Sequence, residues 1–130
     1  MAVLDTTEAN RYLEALVGKT TYTATTAPIK LDLCTAVGSD SAAGTKVTGG
    51  GYAVQTIAAA GWNNAASRQI TNNGTVSYTN MPAATVTSVD ATDSAGTPQR
   101  KFYGNLASSR TTASGDTLSF AASAIVLGMG

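Results

Sequence analysis

The sequence predicts a mainly β fold: an antiparallel β-sandwich or barrel-like domain with one short N-terminal α-helix. Three observations carry that prediction. Apolar and polar residues alternate in short runs from residue 29 to residue 127, the period of strands with one buried face. Clusters of Gly, Asn, Asp, Ser and Pro punctuate these runs at the spacing of a sandwich or barrel. Helical periodicity occurs once, near the N-terminus.

That helix is predicted over residues 5–17. Asp5 and Glu8 have the spacing of a capping box, and Ala9, Tyr12, Leu13, Leu16 and Val17 form one apolar stripe. Gly18 stands where a helix-ending glycine belongs, with Lys19 beside the negative end of the dipole. A helix of about three turns is marginal alone in water, so the stripe must be covered. Packing on the chain's own sheet is favoured over docking on a partner.

The strands follow in order. Ile29, Leu31 and Leu33 alternate with Lys30, Asp32 and Cys34, and Pro28 precedes them where a missing N–H is tolerated. The Gly/Ser/Ala-rich loop over 35–51 is longer than most connections, which marks a functional or mobile segment, and it is read as the protein-docking surface. Its Gly49-Gly50-Gly51 end lacks the Lys-Ser/Thr of a phosphate loop. A strand over 52–57 opens on Tyr52, and Trp62 is a core aromatic. Runs at 68–71 and 75–78 flank Asn72-Asn73-Gly74, the strongest hairpin signal in the chain. Met81-Pro82 breaks the chain before an alternating run at 85–91, in which Val86 points inward. After a 93–98 loop, Phe102, Gly104 and Leu106 share a face of the next strand. Ser114-Gly115-Asp116 makes a turn into 117–121, and 125–127 closes the sheet. Residues 1–130 thus form one β-sandwich domain, with an arm and helix over 1–18 and the β-domain over 29–127.

Composition narrows the function. Charged residues are only 12% of the chain and cancel to zero, so no field steers it toward nucleic acid, and no basic patch with interleaved aromatics is present. With 43% apolar residues a core is available, yet no run approaches a membrane span and no secretory signal opens the chain. Synthesis in a cytosol, with no membrane partner, is the expectation. The chain has no histidine, which removes the commonest general base and metal ligand and weighs against an enzyme. No Gly-x-Ser-x-Gly elbow occurs, and no catalytic residue, cofactor or metal is expected. Asp90 and Asp93 lie near a glycine loop but lack the third acid a calcium site needs. Asn73-Gly74-Thr75 fits a glycosylation sequon and also fits a turn. Cys34 is the sole cysteine and reads as a buried, inert thiol. Tyr22, Tyr52, Trp62, Tyr78 and Tyr103 are spread along the chain, which favours core packing over a carbohydrate platform.

Four ordered motifs carry a family resemblance: Gly18-Lys19-Thr20 at the helix end, Leu31-Asp32-Leu33-Cys34-Thr35, Gly50-Gly51-Tyr52-Ala53, and Gly115-Asp116-Thr117-Leu118-Ser119-Phe120. Together the chain resembles a family of small virion structural proteins of tailed bacteriophages, described either as capsid decoration (cement) proteins or as tail fibre proteins. The 85–91 strand lacks the Trp-Gly and Gly-Ile elements of that pattern. The resemblance implies a non-enzymatic protein of the phage capsid surface, assembled in the host cytoplasm. It implies a homotrimer whose partner is the major capsid protein, with stabilisation of the shell as its role. Val3, Leu4, Tyr12, Leu16, Lys46, Val47 and Tyr52 are the expected protein-interaction residues. The alternative is a tail-fibre or host-glycan-binding module. Absence of coiled-coil heptads and fibre repeats favours the decoration reading.

Overall fold

Among the described residues, ten strands, one α-helix and a 3-10 turn (Ala59–Gly61, after β4) follow one another, the strands and α-helix as β1 (Ala2–Leu4), α1 (Thr6–Leu16), β2 (Ile29–Ala36), β3 (Thr45–Lys46), β4 (Gln55–Ile57), β5 (Gln69–Thr71), β6 (Val76–Met81), β7 (Ala84–Thr92), β8 (Arg100–Thr112), β9 (Asp116–Phe120) and β10 (Val126–Gly128). The computed structural model describes residues 2–129, so both ends of the expected domain, residues 1 and 130, lie outside it. An eight-stranded sheet has the order β3-β2-β7-β8-β1-β10-β5, with β4 also on β2, and β6 and β9 form a second sheet. Pairing is antiparallel except between β1 and β10. The fold is mainly β, as its alternation predicts, and it does not close into a barrel.

The core forms where the small sheet meets the large one. Leu31 and Leu33 of β2, each 1% exposed, meet Tyr78, Met81, Leu118 and Phe120 of β6 and β9 in one apolar cluster. Tyr78 does most to join the layers. Its ring stacks on Tyr52 at 5.9 Å and meets Phe120 edge-on at 6.2 Å, while its hydroxyl donates to the Leu31 carbonyl at 2.9 Å. A buried hydroxyl needs such a partner, and this one lies in the opposite layer.

The free edge of β2 is divided between two short strands. β4 pairs with Ile29–Leu31 and β3 with Cys34 and Ala36. Between them the Tyr52 hydroxyl accepts from the Leu33 N–H at 2.7 Å and donates to Asp32 Oδ1 at 2.7 Å. Tyr52 therefore precedes β4 instead of opening it, and its side chain does the work of a missing strand residue.

The helix ends as the sequence predicts. Asp5 caps the N-terminus by accepting from the Thr7 N–H at 3.0 Å. Gly18 takes φ +75° at the other end, and the Lys19→Glu14 and Gly18→Ala15 backbone bonds, 2.9 and 3.1 Å, close a Schellman motif. Glu8 does not complete a capping box, because its carboxylate is engaged elsewhere.

The Asn72-Asn73-Gly74 segment is not a hairpin. β5 pairs with β10 and β6 with β9, so the segment carries the chain from one sheet to the other. Asn72, 1% exposed, holds that corner: its amide donates to Gly74 O at 2.6 Å and Ala121 O at 3.0 Å and accepts from the Ile125 N–H at 2.9 Å. The side chain binds backbone in place of a turn ladder. Asn72→Ala strands these buried groups and is expected to lower stability by about 3 kcal/mol in urea unfolding, against under about 1 kcal/mol for the exposed Asn73→Ala.

Candidate protein-interaction site

Near its start, β8 carries a bulge. Register passes from Ala91↔Phe102 to Thr92↔Arg100, leaving Lys101 as the extra residue. Bulges re-aim side chains, and here two consecutive cations both reach the N-terminal segment. The Arg100 guanidinium bonds Asp5 Oδ2 through Nε at 3.0 Å and Nη2 at 2.8 Å. The Lys101 ammonium donates to Glu8 Oε2 at 2.8 Å and lies 3.6 Å from Asp93 Oδ2. Lys101, Glu8 and Asp93 side chains are each about 5% exposed. The Asp5 N–H adds a backbone bond to Lys101 O at 2.8 Å. Arg11 and Tyr22 also engage the Glu8 carboxylate, at 2.9 and 3.4 Å.

Arg100 also fastens the long loop after β2. It donates to the carbonyls of Ala42, at 2.9 Å, and Ser39, and its guanidinium lies 4.1 Å over the Tyr103 ring. Tyr103 in turn donates to Asp40 at 2.6 Å. Asp90 receives the other end of the loop, accepting from the Gly44 N–H at 3.0 Å and from Lys46 Nζ at 2.5 Å. Asp90 stands directly opposite Asp32 in the β2–β7 register, a like-charge pair that needs a cation nearby. Lys46 supplies it, 3.7 Å from Asp32. Burial works against its charge, but the Asp90 hydrogen bond and the surrounding anions outweigh this and raise its pKa. Gly44 is required here, since a Cβ would come within 2.8 Å of both Cys34 Sγ and Ala36 O. The loop read as a docking surface is thus pinned to the sheet along its inner side. Its tip, residues 39–43, remains exposed.

These anchors leave α1 with the opposite orientation to the one its stripe predicts. Glu8 is its one buried residue, while Leu13, Leu16 and Val17 are 60%, 67% and 80% exposed. At 3.6 residues per turn, Leu13 and Val17 lie roughly 140° and 180° around the helix from Glu8. The charge pair with Lys101 decides which side faces inward, and the apolar face is left in water.

Against known sequences, the family model described as Podophage GP4 fiber I protein gp80 matches residues 3–128. The chain belongs to this family. No curated protein matches it. Members of the fiber I family are structural components of the phage particle, the coarse half of what the motifs imply. The description is of a fibre.

In this fiber I family member the expected interaction residues do not form one surface. Val3 is 37% exposed and Leu4 half-buried, both within β1, and Leu16 belongs to the bare helix face. Tyr12 packs edge-on against Tyr22 at 5.3 Å. Lys46 is spent on Asp90 and Asp32, and Tyr52 on the β2 edge. Val47 is 3% exposed, its N–H on Leu33 O, so its side chain is a core group and not a surface one. Asp90 and Asp93 serve separate ion clusters, and no set of three or more candidate metal ligands occurs among the described residues. Trp62 packs half-buried on the core. Sequence reading misses Leu13 and Val17 as surface groups, although both stand in the stripe it names.

Cys34, fully buried, titrates differently in the folded and unfolded chain. Burial, then the Asp90 charge, push its thiol from 9.0 up to about 11, with Lys46 opposing. The folded chain holds this proton more tightly than the unfolded one, so the contribution is whole below pH 9.0 and is lost as pH rises toward about 11. Stability measured by urea titration is therefore expected to fall across that window. Cys34→Ala makes the fall shallower without abolishing it, because Lys46 and Tyr52 are raised in the same sense.

Proposed function

We propose that this chain is a non-enzymatic surface subunit of the phage particle, decorating the outside of the head as a homotrimer and bracing contacts between major capsid protein subunits. One observation carries the reading: the chain spends buried charge to hold α1 in place with Leu13, Leu16 and Val17 turned outward. Three large aliphatic side chains on one short helix face are a surface that assembly covers. Membership of a family described by a fibre protein supports the structural, non-catalytic part of the reading.

The division of labour follows from exposure. The helix face supplies apolar contact within the assembly, and the pinned loop, with its exposed tip and with Val37 46% exposed before it, supplies a second contact toward the shell. Repetition over many copies makes weak individual contacts sufficient. The fibre description favours a second reading, in which the subunit projects from the tail. Cryo-electron microscopy of purified particles separates them: density for the chain spread over the head supports decoration, and density confined to the tail overturns it. Leu16→Glu with Val17→Glu is expected to cut the copies retained per particle on the order of tenfold, with the fold intact by circular dichroism, because both positions are solvent-exposed in the isolated chain.

A further inference from the structure

The same chain carries an apolar cleft that matches the bare helix face in kind. It has a volume of about 340 Å³ and opens beside Ala2 of β1, where β8 and β10 diverge, with Leu33, Tyr78, Phe120, Ile125 and Leu127 in its wall. Its rim includes Asn105, Leu106 and Ala107 of β8. There the β7–β8 register jumps from Ser88↔Asn105 to Val86↔Arg110, so residues 106–109 have no ladder partner on β7. Among the described residues β1 pairs with β8 at Phe102 and Tyr103. The β7 side of the strand rim is therefore loose beside the cleft.

No residue of α1 lines this cleft. The helix is anchored at Arg100 and Lys101, and the cleft begins four residues further along β8, at Asn105. At about 3.3 Å per strand residue the two features are separated along the sheet. One molecule does not satisfy both within itself. Charge agrees with the match: Arg110 sits 6.0 Å over the Phe120 ring and makes no ion pair among the described residues, while Glu14, 44% exposed, borders the helix stripe in a surface pair with Lys19 at 3.0 Å that is weak enough to exchange.

We infer that the helix face of one copy, Leu13, Leu16 and Val17, docks in the β8–β10 cleft of the next copy, a head-to-tail contact with Glu14 drawn toward Arg110. It rests on the proposal that the chain self-assembles, and it names the surfaces. Each copy offers one face and one cleft, so the contact is heterologous and closes into a ring such as a trimer when the rotation permits.

Sedimentation of the purified full chain at micromolar concentration tests this with two variants. Leu16→Glu/Val17→Glu removes the face, and Ala107→Arg places a charge at the cleft mouth on an exposed residue. Each alone is expected to be monomeric, with dissociation constants raised on the order of a hundredfold. Mixed, they are expected to form a 1:1 heterodimer, because one still has its helix face and the other its cleft. Glu14→Arg weakens the contact and Arg110→Glu, in the same chain, restores it. If Ala107→Arg unfolds, Ala124→Arg at the opposite cleft wall replaces it. An oligomer that survives both variants, or a mixture that stays monomeric, overturns this contact while leaving self-assembly standing. A monomeric wild-type chain overturns self-assembly and this contact with it.

Discussion

The arrangement depends on one bulge in β8, which turns Arg100 and Lys101 toward the same N-terminal segment. Their partners, Asp5 and Glu8, sit at the N-cap and first turn of α1. Burying these charges costs several kcal/mol per ion, and mutual attraction with full hydrogen bonding offsets it. Such pairs add little net stability compared with apolar packing. What they add is orientation: removing either partner leaves an uncompensated charge, so other placements of the helix are strongly disfavoured. Arg100 extends the constraint to the loop by binding the carbonyls of Ser39 and Ala42, and Asp90 secures the loop's return through Gly44 and Lys46.

From this constraint the exposed features follow. A helix held by its polar side presents its apolar side, and a loop held through Ser39, Ala42, Gly44 and Lys46 keeps Val37 and residues 39–43 exposed. The core is indifferent to both, being built between β2 and the β6–β9 pair around Tyr78. Core stability and exposed apolar surface therefore reside in different residues. That separation suits a subunit of a phage particle, which must fold before it meets its neighbours.

Much of the fold was legible because it is local. Alternation at Leu31 and Leu33, the Gly18 helix end and the Gly115 turn each depend on a few adjacent residues, and the structure keeps them. The failures share a cause, which is action at long sequence distance. Asn72 and Asn73 read as a hairpin turn, but the bonds that fix Asn72 come from Ala121 and Ile125, 49 and 53 residues away. The stripe on α1 is real, yet periodicity cannot say which side faces in when Glu8 finds Lys101 at a separation of 93 residues. Tyr52 was legible as important and not as an edge-strand substitute, since that role requires the gap between β3 and β4. The apolar cleft has no sequence signature, because its wall is drawn from β2, β6, β9 and β10 together.

Native-state hydrogen exchange on Lys101→Met shows whether the bulge cations hold α1. If the bulge cations fix the helix, the amides of residues 9–16 lose protection while those of β2 and β7 keep it, since the Tyr78 core is untouched. Unchanged protection in α1 would contradict the account, because the helix would then be held by something other than the Glu8–Lys101 pair.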